Sequence, residues 1–166
     1  MTLAILYASK YGATREAAEQ IAGACIAAGL SQTDVQTLDI ARSPDLPEAD
    51  VVLIGAPVYG GSIPRSVSRF VEANLDTLLE RRVGLFLSCL YEDARAEQQL
   101  ADNFPPRLIT HSFGHYYVGG RVTFDRLRWL DRVVMKKVAG VDHDVDKLRT
   151  EEFERIARDV VSAQDE

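Results

Sequence analysis

Short runs of apolar residues recur along this chain, and each closes in a loop of small or turn-forming residues. Leu3 to Tyr7 is the first, too brief for a helix and set near the start of the chain. From Ala13 to about Gly29 the spacing turns helical, with Ala17, Ala18, Ile21, Ala22, Cys25 and Ala28 along one side. Asp34 to Leu38 predicts a short second strand, and the two prolines of Ser43-Pro44-Asp45-Leu46-Pro47 predict a loop. Asp50 to Gly55 is a continuous, largely β-branched run, the pattern of a strand covered on both faces. Val67, Phe70, Val71, Leu75 and Leu78 then recur at helical spacing, with Ser62 expected as N-cap and Pro64 in the first turn. Arg82 to Ser88 predicts a further buried strand. A polar helix from Asp93 to about Asn103 follows, ended by Pro105 and Pro106. His115 to Val118, with Gly119 and Gly120 behind it, reads as a fifth strand. A last helix has Thr150 as its expected cap, Glu151 and Glu152 in its first turn, and Phe153, Ile156, Ala157, Val160 and Val161 as its apolar stripe.

Strands alternating with helices predict an α/β domain spanning 1–166, with a parallel sheet and helices on both faces. Ligands of such sheets bind beyond the carboxyl ends of the strands. The loops at 9–14, 56–62 and 88–92 each follow a strand, so they are expected to gather on that edge. The 166 residues, 46% hydrophobic and 27% charged, have ordinary globular composition. A net charge of −6 argues against nucleic-acid partners. Cys25 and Cys89 stand far apart and form neither a redox pair nor a zinc site, which suits a reducing cytoplasm. No basic leader or long apolar span is evident, so the expected location is cytoplasmic, with any membrane contact peripheral.

The loop Ser9-Lys10-Tyr11-Gly12-Ala13-Thr14 between a strand and a helix is a phosphate-binding construction. Free N–H groups and the helix dipole converge there, Ser9 and Thr14 add hydroxyls, and Gly12 lets backbone approach a ligand. The patterns of a lysine P-loop and of a dinucleotide fingerprint are both absent. A receiver domain is excluded too, since Ala8-Ser9 and Gly55-Ala56-Pro57 stand where its acidic residues would be. The spacing Ser-x-x-Gly-x-Thr resembles the FMN phosphate loop of flavodoxins, with Tyr11 in place of a usual Thr. The resemblance implies a flavodoxin-like, doubly wound five-stranded sheet in the order 2-1-3-4-5. It also implies FMN as cofactor, with Pro57, Val58, Tyr59, Gly60 and Gly61 in the second loop, where Gly60-Gly61 can change peptide orientation cheaply. In the third loop Ser88, Cys89 and Leu90 would offer backbone donors and Tyr91 a second aromatic wall. Tyr59 and Tyr91 can equally be amphipathic surface tyrosines.

Between the fifth strand and the last helix, residues 121–145 form a basic insert. From Arg121 to Lys137 six basic residues meet two acidic ones, a local +4 that leaves −10 for the rest of the −6 chain. Asp125 is expected to cap a helix with Leu127, Leu130, Val134 and Val138 on one side and Arg126, Arg128, Arg132, Lys136 and Lys137 around the remainder. A basic amphipathic helix with a Trp reads as a membrane-surface or anionic-ligand element, or as a solvated face docked on the domain. The run Arg126 to Arg132 resembles the insert of menaquinone-dependent protoporphyrinogen IX dehydrogenases, which share the Ser-x-x-Gly-x-Thr loop. That likeness implies an FMN oxidoreductase passing electrons from a reduced tetrapyrrole or similar donor to a quinone, with Arg126, Arg128, Trp129, Asp131 and Arg132 meeting substrate or membrane. A flavodoxin-type electron carrier serving a redox protein, and a cofactor-free binding module, are the other readings. His111, His115 and His143 read as structural or solvent-facing, and no proton-transfer group stands out.

Overall fold

The computed structural model describes residues 1–42, 45–140 and 142–162. Ser43 and Pro44 of the expected loop lie outside them. Five strands make one parallel sheet: β1 (Leu3–Tyr7), β2 (Val35–Asp39), β3 (Val51–Pro57), β4 (Arg82–Ser88) and β5 (Gly114–Tyr117), in the order β2-β1-β3-β4-β5. Alternate residues of the apolar runs go to opposite faces. Ala4, Leu6, Val52, Ile54, Val83 and Leu85 meet Val67, Phe70, Val71 and Leu78 of α2 (Arg65–Leu78). Ala96 and Leu100 of α3 (Ala94–Asn103) and Leu108 of α4 (Pro106–His111) complete that layer. Leu3, Ile5, Val51, Leu53 and Phe86 meet Ala17, Ala18, Ile21 and Cys25 of α1 (Ala13–Ala27) and Phe153, Ile156, Ala157 and Val160 of α6 (Thr150–Val161). Apart from Arg82 at the start of β4, every position of β1, β3 and β4 is buried, so their sequences run largely apolar. Gly55 pairs with Phe86, and a Cβ on Gly55 would stand 1.9 Å from the Phe86 ring. The bare glycine is what lets that ring lie across β3.

Several element ends differ from expectation. Ser62 closes a turn with Tyr59 instead of capping α2, and Pro64 occupies the cap. Thr150 is the first residue of α6, with Arg149 at the cap. Pro105 and Pro106 do end α3, but Pro106 also opens α4, where its missing N–H costs nothing.

Beyond β5 the chain makes an excursion from the sheet. β6 (Arg121–Val122) and β7 (Val145–Asp146) pair antiparallel as its neck. Between them come a 3-10 turn at Phe124–Arg126, α5 (Trp129–Val134) and a π-helical turn at Met135–Ala139. Gly119, at φ 76°, packs so closely that a Cβ would meet the Lys147 carbonyl at 1.7 Å, and the Lys147 N–H donates to Gly120 at 2.9 Å. The chain therefore leaves and rejoins the sheet at one point. The helix expected from Asp125 is broken at Leu127 and Arg128, both extended, and Arg128 rather than Asp125 caps α5. Arg132 takes up the freed Asp125 carbonyl at 3.0 Å, which stabilises the break. The expected stripe splits accordingly: Leu127 is buried whereas Leu130 is 58% exposed. The side chain of Val138 lies outside the described residues.

Candidate cofactor site

β1, β3 and β4 deliver their loops to one edge of the sheet, and the backbone knits those loops together. The Ala8 N–H donates to Gly55 at 3.2 Å and the Val58 N–H to Ser88 at 3.1 Å. Between the loops lies a narrow cleft. Ala13 lines one end; Pro57, Val58, Tyr59, Gly60 and Gly61 line one wall; Ser88, Cys89, Leu90 and Tyr91 line the other. Gln99, Gly120, Arg121, Val134 and Met135 complete it. The last two belong to the excursion, which covers the cleft from outside.

In the first loop Gly12 has φ 94°, a left-handed conformation that suits glycine, and its N–H donates to Ser9 Oγ at 3.0 Å. Thr14 is 1% exposed, and its buried hydroxyl has no hydrogen-bond partner. A buried polar atom without a partner is costly, and a bound phosphate at the start of α1 would satisfy it. Lys10 and Tyr11 turn the other way: both donate to the Asp131 carboxylate of α5. Burial would raise the Asp131 pKa, but the hydrogen bonds from Lys10 and Tyr11 outweigh it and hold the carboxyl below the usual range.

Tyr59 to Ser62 is a tight turn, with reciprocal backbone bonds of 3.0 and 3.1 Å and positive φ at Gly60 (57°) and Gly61 (80°). Two consecutive positive φ values are what a paired glycine provides cheaply. Tyr59 stands edge-on to Tyr11, ring centroids 5.7 Å apart. Burial raises its hydroxyl pKa, with further effects from Tyr11 and Asp131, so it stays a neutral phenol. In the third loop the Ser88 hydroxyl donates to Gly119 at 3.0 Å. The Cys89 thiol is pushed up to about 11 by burial and contacts the Tyr91 carbonyl, which makes it inert near neutrality. Arg95 lies over the Tyr91 ring at 5.3 Å.

The donor set and shape fit FMN: backbone and Thr14 for a phosphate, an apolar, tyrosine-walled cleft for a planar ring. Two contributors were missed by sequence reading. Asn103 braces the second loop, accepting from Ile63 N–H at 3.1 Å and donating to the Gly61 carbonyl at 2.9 Å. Gln99 lines the cleft with a buried, unpartnered amide oxygen. Both sit on a helix that reads simply as polar, so no local signal marks them. Asp131, expected to help meet substrate or membrane, accepts from Tyr11, 120 positions away, a tie that no local pattern marks. Among the insert residues, Arg126 and Arg128 are exposed and Trp129 is 72% exposed. Arg132 points inward, its guanidinium over Phe124 at 5.3 Å. No cluster suited to a metal ion occurs among the described residues.

Solved structures of similar fold include a Megasphaera elsdenii flavodoxin, 20% identical, with a TM-score of 0.59 over 97% of this chain and 99% of that one. A Fusobacterium nucleatum flavodoxin bound to flavin mononucleotide is 12% identical, with a TM-score of 0.51 and 98% of each chain covered. The rubredoxin oxygen:oxidoreductase of Desulfovibrio gigas matches at 15% identity and a TM-score of 0.62 over 99% of this chain, which spans only 36% of that enzyme. No curated protein matches the sequence. A family model described as "Flavodoxin domain" matches residues 4–147, and with the sheet order and loop chemistry above, the chain belongs to that family.

Proposed function

We propose that this protein is an FMN-dependent oxidoreductase of the quinone-linked protoporphyrinogen IX dehydrogenase type, working at a membrane surface. The observation that carries the reading is the two-sided insert. Val134 and Met135 face the cleft, while Trp129 (72% exposed), Leu130 (58%) and Val133 (43%) face outward on the same short helix. Arg126, Arg128, Lys136 and Lys137 are exposed around them. An apolar patch ringed by cations suits an anionic bilayer, and it brings the cleft to the place where a quinone dissolves. A carrier docking to soluble partners has no evident need of such a patch. No helix among the described residues is long and apolar enough to cross a membrane.

FMN supplies the redox chemistry when bound. Thr14 and the start of α1 would hold its phosphate, and Tyr59, Tyr91, Val134 and Met135, which line the cleft, would border its ring and limit the access of water. Arg126 and Arg128, both exposed, would meet substrate carboxylates or lipid phosphates. A flavodoxin-type carrier is the second reading, supported by the acidic remainder of the chain and by the flavodoxins of similar fold.

An anaerobic assay of the FMN-loaded protein with protoporphyrinogen IX and a menaquinone analogue separates the two. Turnover supports the dehydrogenase; FMN uptake without turnover leaves the carrier. Protein that purifies colourless and takes up no FMN is a binding module.

A further inference from the structure

The geometry points to Asp131 as a positioning residue that latches the insert to the phosphate loop, so that FMN binding and docking of the insert stabilise each other. The inference rests on the FMN reading above. One Asp131 oxygen accepts from both Lys10 Nζ and the Tyr11 hydroxyl. That hydroxyl also accepts the backbone N–H of Arg128, the cap of α5, at 3.1 Å. Lys10 lies over the rings of Tyr11 and Tyr59 at 5.4 and 5.8 Å. The phosphate loop, the Tyr59–Ser62 turn and the insert thus meet in one cluster, beside the loop residues that would hold the phosphate.

Tyr11, the departure from the usual flavodoxin loop, gains a reason here. A threonine hydroxyl ends too near the backbone to reach α5, whereas a phenol spans the gap. The Asp131 side chain is 18% exposed and that of Lys10 39%, so the ion pair is partly open to solvent and the Tyr11 hydroxyl adds a second tie to the same oxygen. Val134 and Met135, on the next helical turn, line the cleft. A ligand touching both the first loop and these side chains favours the docked insert over the undocked one. By linkage, a docked insert retains that ligand more tightly, by the same factor.

The test uses the full-length protein with and without FMN. Trp129, the chain's single tryptophan, reports insert motion by fluorescence anisotropy, and trypsin cuts after Arg126, Arg128 and Lys136 report its exposure. FMN affinity is read separately by quenching of flavin fluorescence. Asp131→Ala is expected to lower the anisotropy, speed insert cleavage about tenfold and weaken FMN about tenfold, within the usual span of such couplings. Tyr11→Phe, which keeps the ring against Tyr59 and guards against misfolding, shifts all three in the same direction by less. Asp131→Glu restores them. If both Asp131→Ala and Tyr11→Phe leave cleavage and FMN affinity at wild-type values, the latch is overturned while the FMN reading stands. Wild-type protein that takes up no FMN overturns both.

Discussion

The sheet and the insert are held by different forces. The five strands and their helices bury apolar side chains on both faces, with Leu53, Ile54, Leu85 and Phe86 fully enclosed. The excursion fully buries only Leu127 and Met135 among its described side chains, with Phe124 and Val145 half-buried beside them against Tyr11, Tyr59 and Leu90, and polar ties add to this small apolar cluster. Arg121 bridges Glu16 at 2.7 Å and Asp146 at 2.9 Å, the Phe124 N–H donates to Asp144 at 2.7 Å, and Asp131 holds the first loop. Apolar burial is indifferent to moderate salt, whereas partly exposed charge pairs weaken as salt screens them. The molecule therefore combines a frame held by extensive apolar burial with a cover held by a small apolar cluster and by charge pairs that salt weakens.

The sharpest contrast comes from the frame. Leu85→Ala is expected to cost about 3 kcal/mol by opening a cavity, lowering Tm by about 10 °C in a thermal melt. Neutralising Arg126 and Arg128 together should leave Tm and FMN affinity in place. It should weaken binding to anionic vesicles by about 2 kcal/mol in a sedimentation assay, at about 1 kcal/mol per cation. Unchanged vesicle binding would return the insert to a solvated face. Thr14→Val should reduce FMN affinity about tenfold, the worth of one hydrogen bond to a charged group, while apo stability holds or rises because an orphaned buried hydroxyl is gone.

Asp131 supplies the pH dependence. Its pKa is lower folded than unfolded, so its contribution is complete above the ordinary carboxylate value of about 4 and lost as pH falls through the lower folded value. Trp129 anisotropy should be flat from neutrality down to that range and drop below it. The smallest effect belongs to Glu16→Gln, which removes an exposed partner of Arg121 and should shift stability by less than about 1 kcal/mol in the same melt. If it costs as much as Leu85→Ala, the division between frame and cover is wrong.

Much of this was readable without coordinates. The unbroken runs at Val51–Ile54 and Val83–Leu87 announce strands covered on both sides, and the stripes of Val67–Leu78 and Phe153–Val160 announce their covering helices. The loop from Ser9 to Thr14 carries its resemblance to a phosphate loop in plain view because its hydroxyls and amides are neighbours in the chain. The insert resisted such reading. Its charge and tryptophan were plain, but the continuous helix expected from Asp125 is broken at Leu127. The choice depends on what Arg132 and the neck at Arg121–Asp146 can reach, not on local propensity. Arg132, expected outside, is turned inward for the same reason.

Local pattern by itself determined the alternation of strands and helices, the edge where the loops gather, and the kind of ligand the first loop suits, since periodicity and adjacency are properties of a linear string. Tertiary structure alone decided that Asn103 steadies a turn far from it, that Gln99 faces the cleft, and that a tyrosine in the first loop and an aspartate near the end share a proton's reach. Those pairings follow from how the packed sheet aims distant segments at one another, which no spacing along the chain encodes.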